Sequence, residues 1–567
     1  MQLSSATILL ASTPGAHALV GSISGNQQKA KLTRSGADEQ SWLNTYTNCE
    51  KELAPTELPD LDLPSDFPVG TYFRNGHGCF VAKDGQKCKH MFDGDGLVSA
   101  ITFTKDKRAI FRNRFVRTKG YVKDLESGKM SMRGLFGTMR SGGIFANMFR
   151  LNYKNPANTN VIYHANRLLA LWEGGVPHEL DPVTLETLSE EPDLCSAGVV
   201  GDGRYAAHPR YDPVTGNIAS FANTSSPQDN KSKVYLFEMD ANGNSIVGNQ
   251  ECSFIFEGIG LIHDFMLTEN YMIFVLADAQ INQTAGLNAL LGRGAFAAAV
   301  DIDNEQPHSK VILVPRINKL VLASEGKSCA EMPIDGEDPR IKIINVPYHF
   351  NFHFSNAFEN EQGNIVFDTV QTKTMELGFD LMEEGKALWE AIDWDQIYPT
   401  SLQRYVIDPK AGCMASEPTT LCTQVPEFPS IPRSLSTQKH RYVYSVGSHQ
   451  ELETNSASDM GSGPAGSILK IDCEDPNKNE AFSFQPHEFV NEPVFCAKNN
   501  DSNSLKEDSG YLIVYVVDGR RRSTDLCIFD VEGKDALSRG PVVRTTMPTF
   551  LPGGLHGMFA EDMTFDF

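Results

Sequence analysis

From about residue 66 onward the chain is written in short strand-like runs, and this rhythm restricts its fold more than any other feature. "NVIYHANRLLALWE", "KVYLFEM", "YMIFVLAD", "NIVFDTV", "YVYSVG" and "YLIVYVVD" are rich in β-branched and aromatic residues. Between such runs stand "DGDG", "DPVTGN", "DANGN", "ENEQGN" and "DVEGK". Gly, Asp and Asn accept the backbone angles that reverse a strand, so these clusters read as turns. Helical stretches are few. Such a pattern belongs to a sandwich, a barrel or a propeller. At 567 residues the chain is several times the usual domain size, and no low-complexity linker divides it. A propeller grows by adding blades round an axis, where other β folds must split. An all-β propeller is therefore expected, although no WD or kelch repeat marks it. "SHQELETNSASDMGSGPAGS" (448–467) reads as a long surface loop.

Composition removes several functions. A net charge of −22 argues against a nucleic-acid partner, because such binders draw affinity from neutralising phosphates. No run of about 18 apolar residues occurs, so no spanning helix is expected. The 11 cysteines are scattered and contain no CxxC pair, which suits a reducing compartment better than a disulfide framework. "MQLSSATILLASTPGAHALVG" has a modest apolar core and an Ala-His-Ala at 16–18, without a basic start. Residues 1–40 are therefore expected to be a targeting or disordered segment, with plastid import favoured over a cytosolic tail, and 41–567 a single domain. "FDGDG" is no calcium loop: loop position 6 is Val98 and position 12 is Thr104. Walker loops, HExxH and GxSxG are absent.

The histidines are more informative. Four head distinctive segments: "AAHPRYDP" (His208), "LIHDFMLTENY" (His263), "FHFSNAFE" (His353) and "LPGGLHGMF" (His556). Their gaps of 55, 90 and 203 residues exclude a helix-borne site, whose ligands fall three or four residues apart. Separate strands would have to converge, as they do on a propeller axis. Four imidazoles suit iron, zinc, copper or nickel. Taken singly, each of these histidines reads as a turn or core residue before it reads as a ligand.

Around them lie "YFRNG" (72–76), "HMFDGDGLV" (90–98), "RNRFVRT" (112–118), "NTNVIYHANRLLALWEGGVPHELDPVTLET" (158–187), "PEFPSI" (426–431), "RYVY" (441–444) and "NEPVF" (491–495). In number and order these segments resemble the carotenoid cleavage oxygenase family, from about Leu63 to the C-terminus. The resemblance implies a seven-bladed β-propeller with a helical dome over one face. It implies Fe(II) on the axis held by His208, His263, His353 and His556, with Glu173, Glu427 and Glu492 binding the free N–H of three imidazoles. His208 would have no such partner. Glu359, His349 and His90 are expected to be structural, and His164 and His178 match no ligand position.

The implied reaction adds both atoms of O2 across one C=C bond of a carotenoid or apocarotenoid. The alternatives are a stilbene-cleaving dioxygenase and an inert lipid-binding propeller. The stilbene subgroup carries a Tyr where this chain has Phe115, and all four histidines are present, so neither alternative is preferred. "SMRGLFGTMRSGGIFANMFR" (131–150) is basic, aromatic and free of acids. It is expected to make peripheral membrane contact at the substrate entry through Leu135, Phe136, Phe145 and Phe149, with Arg133, Arg140 and Arg150 near head groups. "AGLNALLGRGAFAAAV" (285–300) is a second apolar candidate at the dome.

Overall fold

The computed structural model describes residues 35–565 apart from 60, 191–193, 195–198, 200–202, 227–228, 249, 303–304, 335–337, 384, 450–461 and 500–505. The expected targeting segment falls mostly on residues 1–34, and most of the 448–467 loop on 450–461; both lie outside the described residues. Packed structure begins before residue 41. Asp38 caps the helix Glu39–Asn44 by accepting from Ser41 N, and its own amide donates to Pro486 O at 2.7 Å.

The long apolar runs become central strands. "GYLIVYVVD" forms Gly510–Asp518 and is buried along its whole length, because both faces of its sheet are covered by neighbouring sheets. A strand packed on both faces needs apolar residues at every position, so strict alternation is lost. The turns behave as their residues dictate. "NVIYHANRLLALWE" folds into the hairpin Asn160–His164 and Arg167–Leu171, with Ala165 and Asn166 at φ 50° and 62°. That pair of positive angles is what a two-residue turn needs to match strand twist.

Among the described residues the strands form seven sheets of four or five strands and one two-stranded ribbon. The seven sheets are the blades of a propeller. Blade one combines Leu53–Glu57, Gly70–Cys79, Asp95–Phe103 and Ala109–Phe115 with the last strand, Gly554–Glu561. Blades two to four begin at Asn160–His164, Arg210–Tyr211 and Met266–Leu267; blades five to seven begin at Phe350–Glu359, Glu427–Ser430 and Glu488–Val490. Adjacent blades share apolar cores. Ile513, Tyr515 and Leu526 of blade seven pack with Ile101 and Phe111 of blade one, for example. The ring closes where Gly554–Glu561 pairs antiparallel with Gly70–Cys79, Arg74 opposite Gly557. A Cβ at Gly557 would lie 2.4 Å from Phe73 O, so only glycine permits that approach beside His556.

Three excursions carry helical segments over the blades: residues 116–159 between blades one and two, 277–305 inside blade four, and 373–400 inside blade five. They hold one another. Arg133 donates to Ala289 O (2.7 Å) and Gly294 O (2.9 Å), the Phe149 amide donates to Leu290 O (2.8 Å), and the Phe136 and Phe379 rings stack. These segments make the dome.

Candidate metal centre

Each blade contributes one residue to a cluster on the axis. His556, His208, His263 and His353 come from blades one, three, four and five, and Glu173, Glu427 and Glu492 from blades two, six and seven. The chain builds this locally with irregular backbone. The register of Phe350–Glu359 shifts on both sides of Phe354, and such bulges re-aim a side chain out of the regular pleat. Beside Glu427, Val425 and Phe428 hold φ of 53° and 49°. That strain is rare in non-glycine residues and typical of sites fixed by their surroundings.

The four imidazoles face one another. Ring centroids of His208 lie 4.5, 5.1 and 4.5 Å from those of His263, His353 and His556. Ligand atoms of His208, His353 and His556 lie within 4.8 Å of one another, and His263 Nε2 is 2.9 Å from His208 Nε2. Behind them, His263 Nδ1 donates to Glu173 Oε1 (2.9 Å), His353 Nδ1 to Glu427 Oε2 (2.6 Å) and His556 Nδ1 to Glu492 Oε1 (2.8 Å). A carboxylate only accepts, so each of these imidazoles keeps its proton on Nδ1 and turns the Nε2 lone pair inward. Burial works to raise the three carboxyls, but the adjoining imidazoles hold all three below the usual carboxylate value. Burial, with the other imidazoles facing it, holds His208 far below the usual histidine value. It is neutral, with a lone pair to give.

These residues fit a cation. His353 Nε2 is buried with no hydrogen-bond partner, an arrangement that costs free energy unless something else meets the lone pair. Three carboxylates held below their usual value stand behind the imidazoles, and of these Arg74 meets Glu492 (Oε2, 3.1 Å). A metal among the four Nε2 atoms answers both deficits. Nitrogen ligands of this kind suit iron, zinc, copper or nickel.

The other sequence candidates lie elsewhere. Glu359 accepts from Thr268 Oγ1 (2.7 Å), Asn270 N (2.9 Å) and Asn270 Nδ2 (2.6 Å). His349 precedes its strand, pairs with Pro347 O (3.0 Å) and stacks on Tyr405. His90 accepts from Phe92 N (3.0 Å) and sits among Phe92, Phe136 and Phe379. His164 meets Asp240 O (2.7 Å), and His178 is buried within the third strand of blade two, His178–Leu180. The 131–150 segment divides. Phe145 and Phe149 are 91% and 64% exposed, whereas Leu135 and Phe136 are drawn inward, Phe136 onto the His90 ring. Arg133, expected near lipid head groups, is 1% exposed. Its guanidinium covers the Phe296 ring at 4.0 Å and donates to dome carbonyls.

The comparisons with known proteins converge on this geometry. Residues 46–561 match the family model described as retinal pigment epithelial membrane protein. Apocarotenoid-15,15'-oxygenase of Synechocystis is 33% identical over 92% of this chain and 96% of its own. The chain belongs to that family, the carotenoid oxygenases. A solved cobalt-substituted apocarotenoid oxygenase of Synechocystis superposes on this oxygenase with a TM-score of 0.78 at 32% identity, covering 92% of this chain and 99% of that one. "Carotenoid cleavage dioxygenase 7, chloroplastic" of Oryza sativa is 25% identical, covering 90% and 88%.

Sequence reasoning passed over three residues of the site. Asn160 donates to Ala207 O (2.7 Å), the residue before His208. Arg210 and Asp264 pair beneath the ligand layer. The signal was present in "HPR" and "HDF", where a charged residue directly follows the ligand region.

Proposed function

We propose that this oxygenase is an Fe(II) dioxygenase that cleaves one C=C bond of a carotenoid or apocarotenoid, placing one atom of O2 on each of two carbonyl products. The observation that carries the reading is the seven-blade convergence: four imidazoles facing one point, three of them oriented by carboxylates behind them. His208, His263, His353 and His556 would hold the metal. Ferrous iron there supplies a binding position for O2 and the redox capacity to engage an alkene. Glu173, Glu427 and Glu492 fix the tautomer and tilt of three ligands and add the negative charge that neutral imidazoles lack. Phe352 packs on His263 at 5.4 Å, and Phe428 on His353 and His556 at 5.4 and 5.1 Å. These rings exclude water and offer flat apolar surface to a conjugated chain. No general acid is required, because the polyene's π electrons balance the reaction.

Phe115 favours a polyene over a hydroxylated stilbene. Position 115 offers a phenol no hydroxyl partner. An inert lipid-binding propeller would have no use for a complete four-imidazole set.

Peripheral membrane contact is part of the proposal. Ile144, Phe145, Phe149 and Leu151 are exposed, as is Leu287 on the helix Gln283–Leu290, which the Phe149 amide joins. Arg150 and Arg293 stand exposed at its rim. No helix among the described residues is long and apolar enough to cross a membrane, so contact would be interfacial. Plastid import rests on residues 1–40 and on the chloroplastic plant relative; a fusion of these residues to a fluorescent protein would test it.

Anaerobic loading with Fe(II), then O2 with a carotenoid panel and mass spectrometry of the products, tests the reaction. Paired aldehydes or ketones, each carrying label from ¹⁸O2, are expected. Label in only one product would overturn dioxygenation.

A further inference from the structure

His208 is the ligand with no glutamate behind it, and the chain around it is held differently. Two residues on, Arg210 pairs with Asp264, the residue after His263. The same guanidinium donates to Phe265 O (2.8 Å) and to Phe354 O (2.9 Å), the residue after His353. Asp264 in turn accepts from the amides of Phe265 (2.7 Å) and Phe354 (3.0 Å). One side-chain pair and four bonds from it to the backbone thus tie together the segments that follow three ligands, on blades three, four and five. The Asp264 side chain is 1% exposed and that of Arg210 21%. Both line an axial cavity of about 140 Å³ whose wall also includes His208, His353 and His556.

We infer that the Arg210–Asp264 clasp positions His208 and sets the spacing of the His208, His263 and His353 nitrogens, taking the part that a carboxylate plays behind the other ligands. This rests on the four-histidine reading. A planar guanidinium with fixed donor directions can bind a carboxylate and two carbonyls together, which a lysine ammonium on a flexible stem cannot do in the same geometry. Glutamates orient single rings. The clasp instead fixes three strands relative to one another, so its loss would act on ligand spacing.

A structural role and a positioning role can be separated. Removing one member leaves a buried charge alone, whereas replacing both removes the two charges together and leaves only the neutral backbone groups they served, so metal affinity and spectrum are read in a protein that still folds. We therefore take the full chain with Arg210→Met/Asp264→Leu, and separately Arg210→Lys, and measure melting of the metal-free protein, Co(II) affinity by competition with a chelator, and the visible Co(II) spectrum. The double variant leaves the Phe265 and Phe354 backbone groups unpaired, so it is expected to melt lower than the unaltered protein while remaining folded. It should bind Co(II) about 10–100-fold more weakly, the usual size of an outer-shell effect, with shifted d–d bands. Arg210→Lys should keep its fold, recover part of the affinity and retain a shifted spectrum. If the unaltered chain bound Co(II) while both variants matched it in affinity and spectrum, the clasp would be merely structural and the inference overturned. If the unaltered chain bound no Co(II), the four-histidine reading would fall first and the inference with it.

Discussion

At Glu427 one carboxylate oxygen accepts both from His353 Nδ1 and from the Phe428 amide, each at 2.6 Å. At Glu492 the second oxygen accepts from Arg74 (3.1 Å) and the Gly557 amide (2.8 Å), while Glu173 Oε2 is buried without a partner. The three acids are therefore not equivalent. Glu→Gln at 173, 427 and 492 should each weaken metal binding or turnover by about 10–100-fold without abolishing it. Glu173→Gln should be the mildest, because its loss disturbs one hydrogen bond only. Fe(II) titration and kcat/KM for the three variants would show it, and equal losses at all three would contradict the ranking. Glu359→Gln should leave iron affinity unchanged. At this scale the sequence spoke unevenly. The histidines stood out as residue types, but which of them converge was legible only through family resemblance. A carboxylate that serves an imidazole 64 to 90 positions away leaves no local spacing to read.

Strands were legible because burial on both faces writes itself into composition, as in Gly510–Asp518. The dome segment 131–150 was less so. Aromatic and basic residues in one short stretch suit either a lipid face or a packed cap, and periodicity cannot tell a guanidinium facing head groups from one facing carbonyls. The structure assigns Arg133 and Phe136 to packing and leaves Phe145 and Phe149 outside. One large apolar side chain taken out of water is worth about 1.5–3 kcal/mol, so Phe145→Ser/Phe149→Ser, which removes two, should lower liposome partitioning by at least about 100-fold and slow cleavage in vesicles. Activity in detergent micelles should change much less. Phe136→Ser should show the reverse, with binding kept and turnover reduced through the His90 aromatic cluster. Sedimentation with anionic and neutral vesicles reads both. If Phe136→Ser alone released the protein from vesicles, the division of this segment would be wrong.

For the whole molecule, a ring of blades needs locks between neighbours as well as closure at its ends. At the boundary of blades five and six, Asp368 accepts from its cross-strand neighbour Arg404 within blade five (Nε 2.7 Å, Nη2 2.8 Å) and pairs with His440 Nε2 of blade six (2.8 Å), with Cys473 Sγ 4.0 Å away. Asp, His and Cys in contact resemble a metal or nucleophile site, but the guanidinium already occupies the place a cation would take. Burial alone would raise the Asp368 carboxyl; the hydrogen bonds and charge of Arg404, with those of His440, pull it down to about 2. An unfolded Asp titrates near 3.9, as a model peptide does. The folded value is the lower one, so the stabilisation is fully present above about pH 4 and is lost as pH falls toward 2, to the extent of about 2 kcal/mol. Asp368→Asn removes this titration and leaves Arg404 buried without its counter-charge, a change of about 3–5 kcal/mol when a buried pair is broken. The variant should therefore melt several degrees lower between pH 5 and 8, and its deficit should narrow steadily below pH 4. Melting at a fixed scan rate across pH 3–8 measures this. A deficit independent of pH would mean that Asp368 acts through shape alone and that its charge beside Arg404 does not stabilise this boundary.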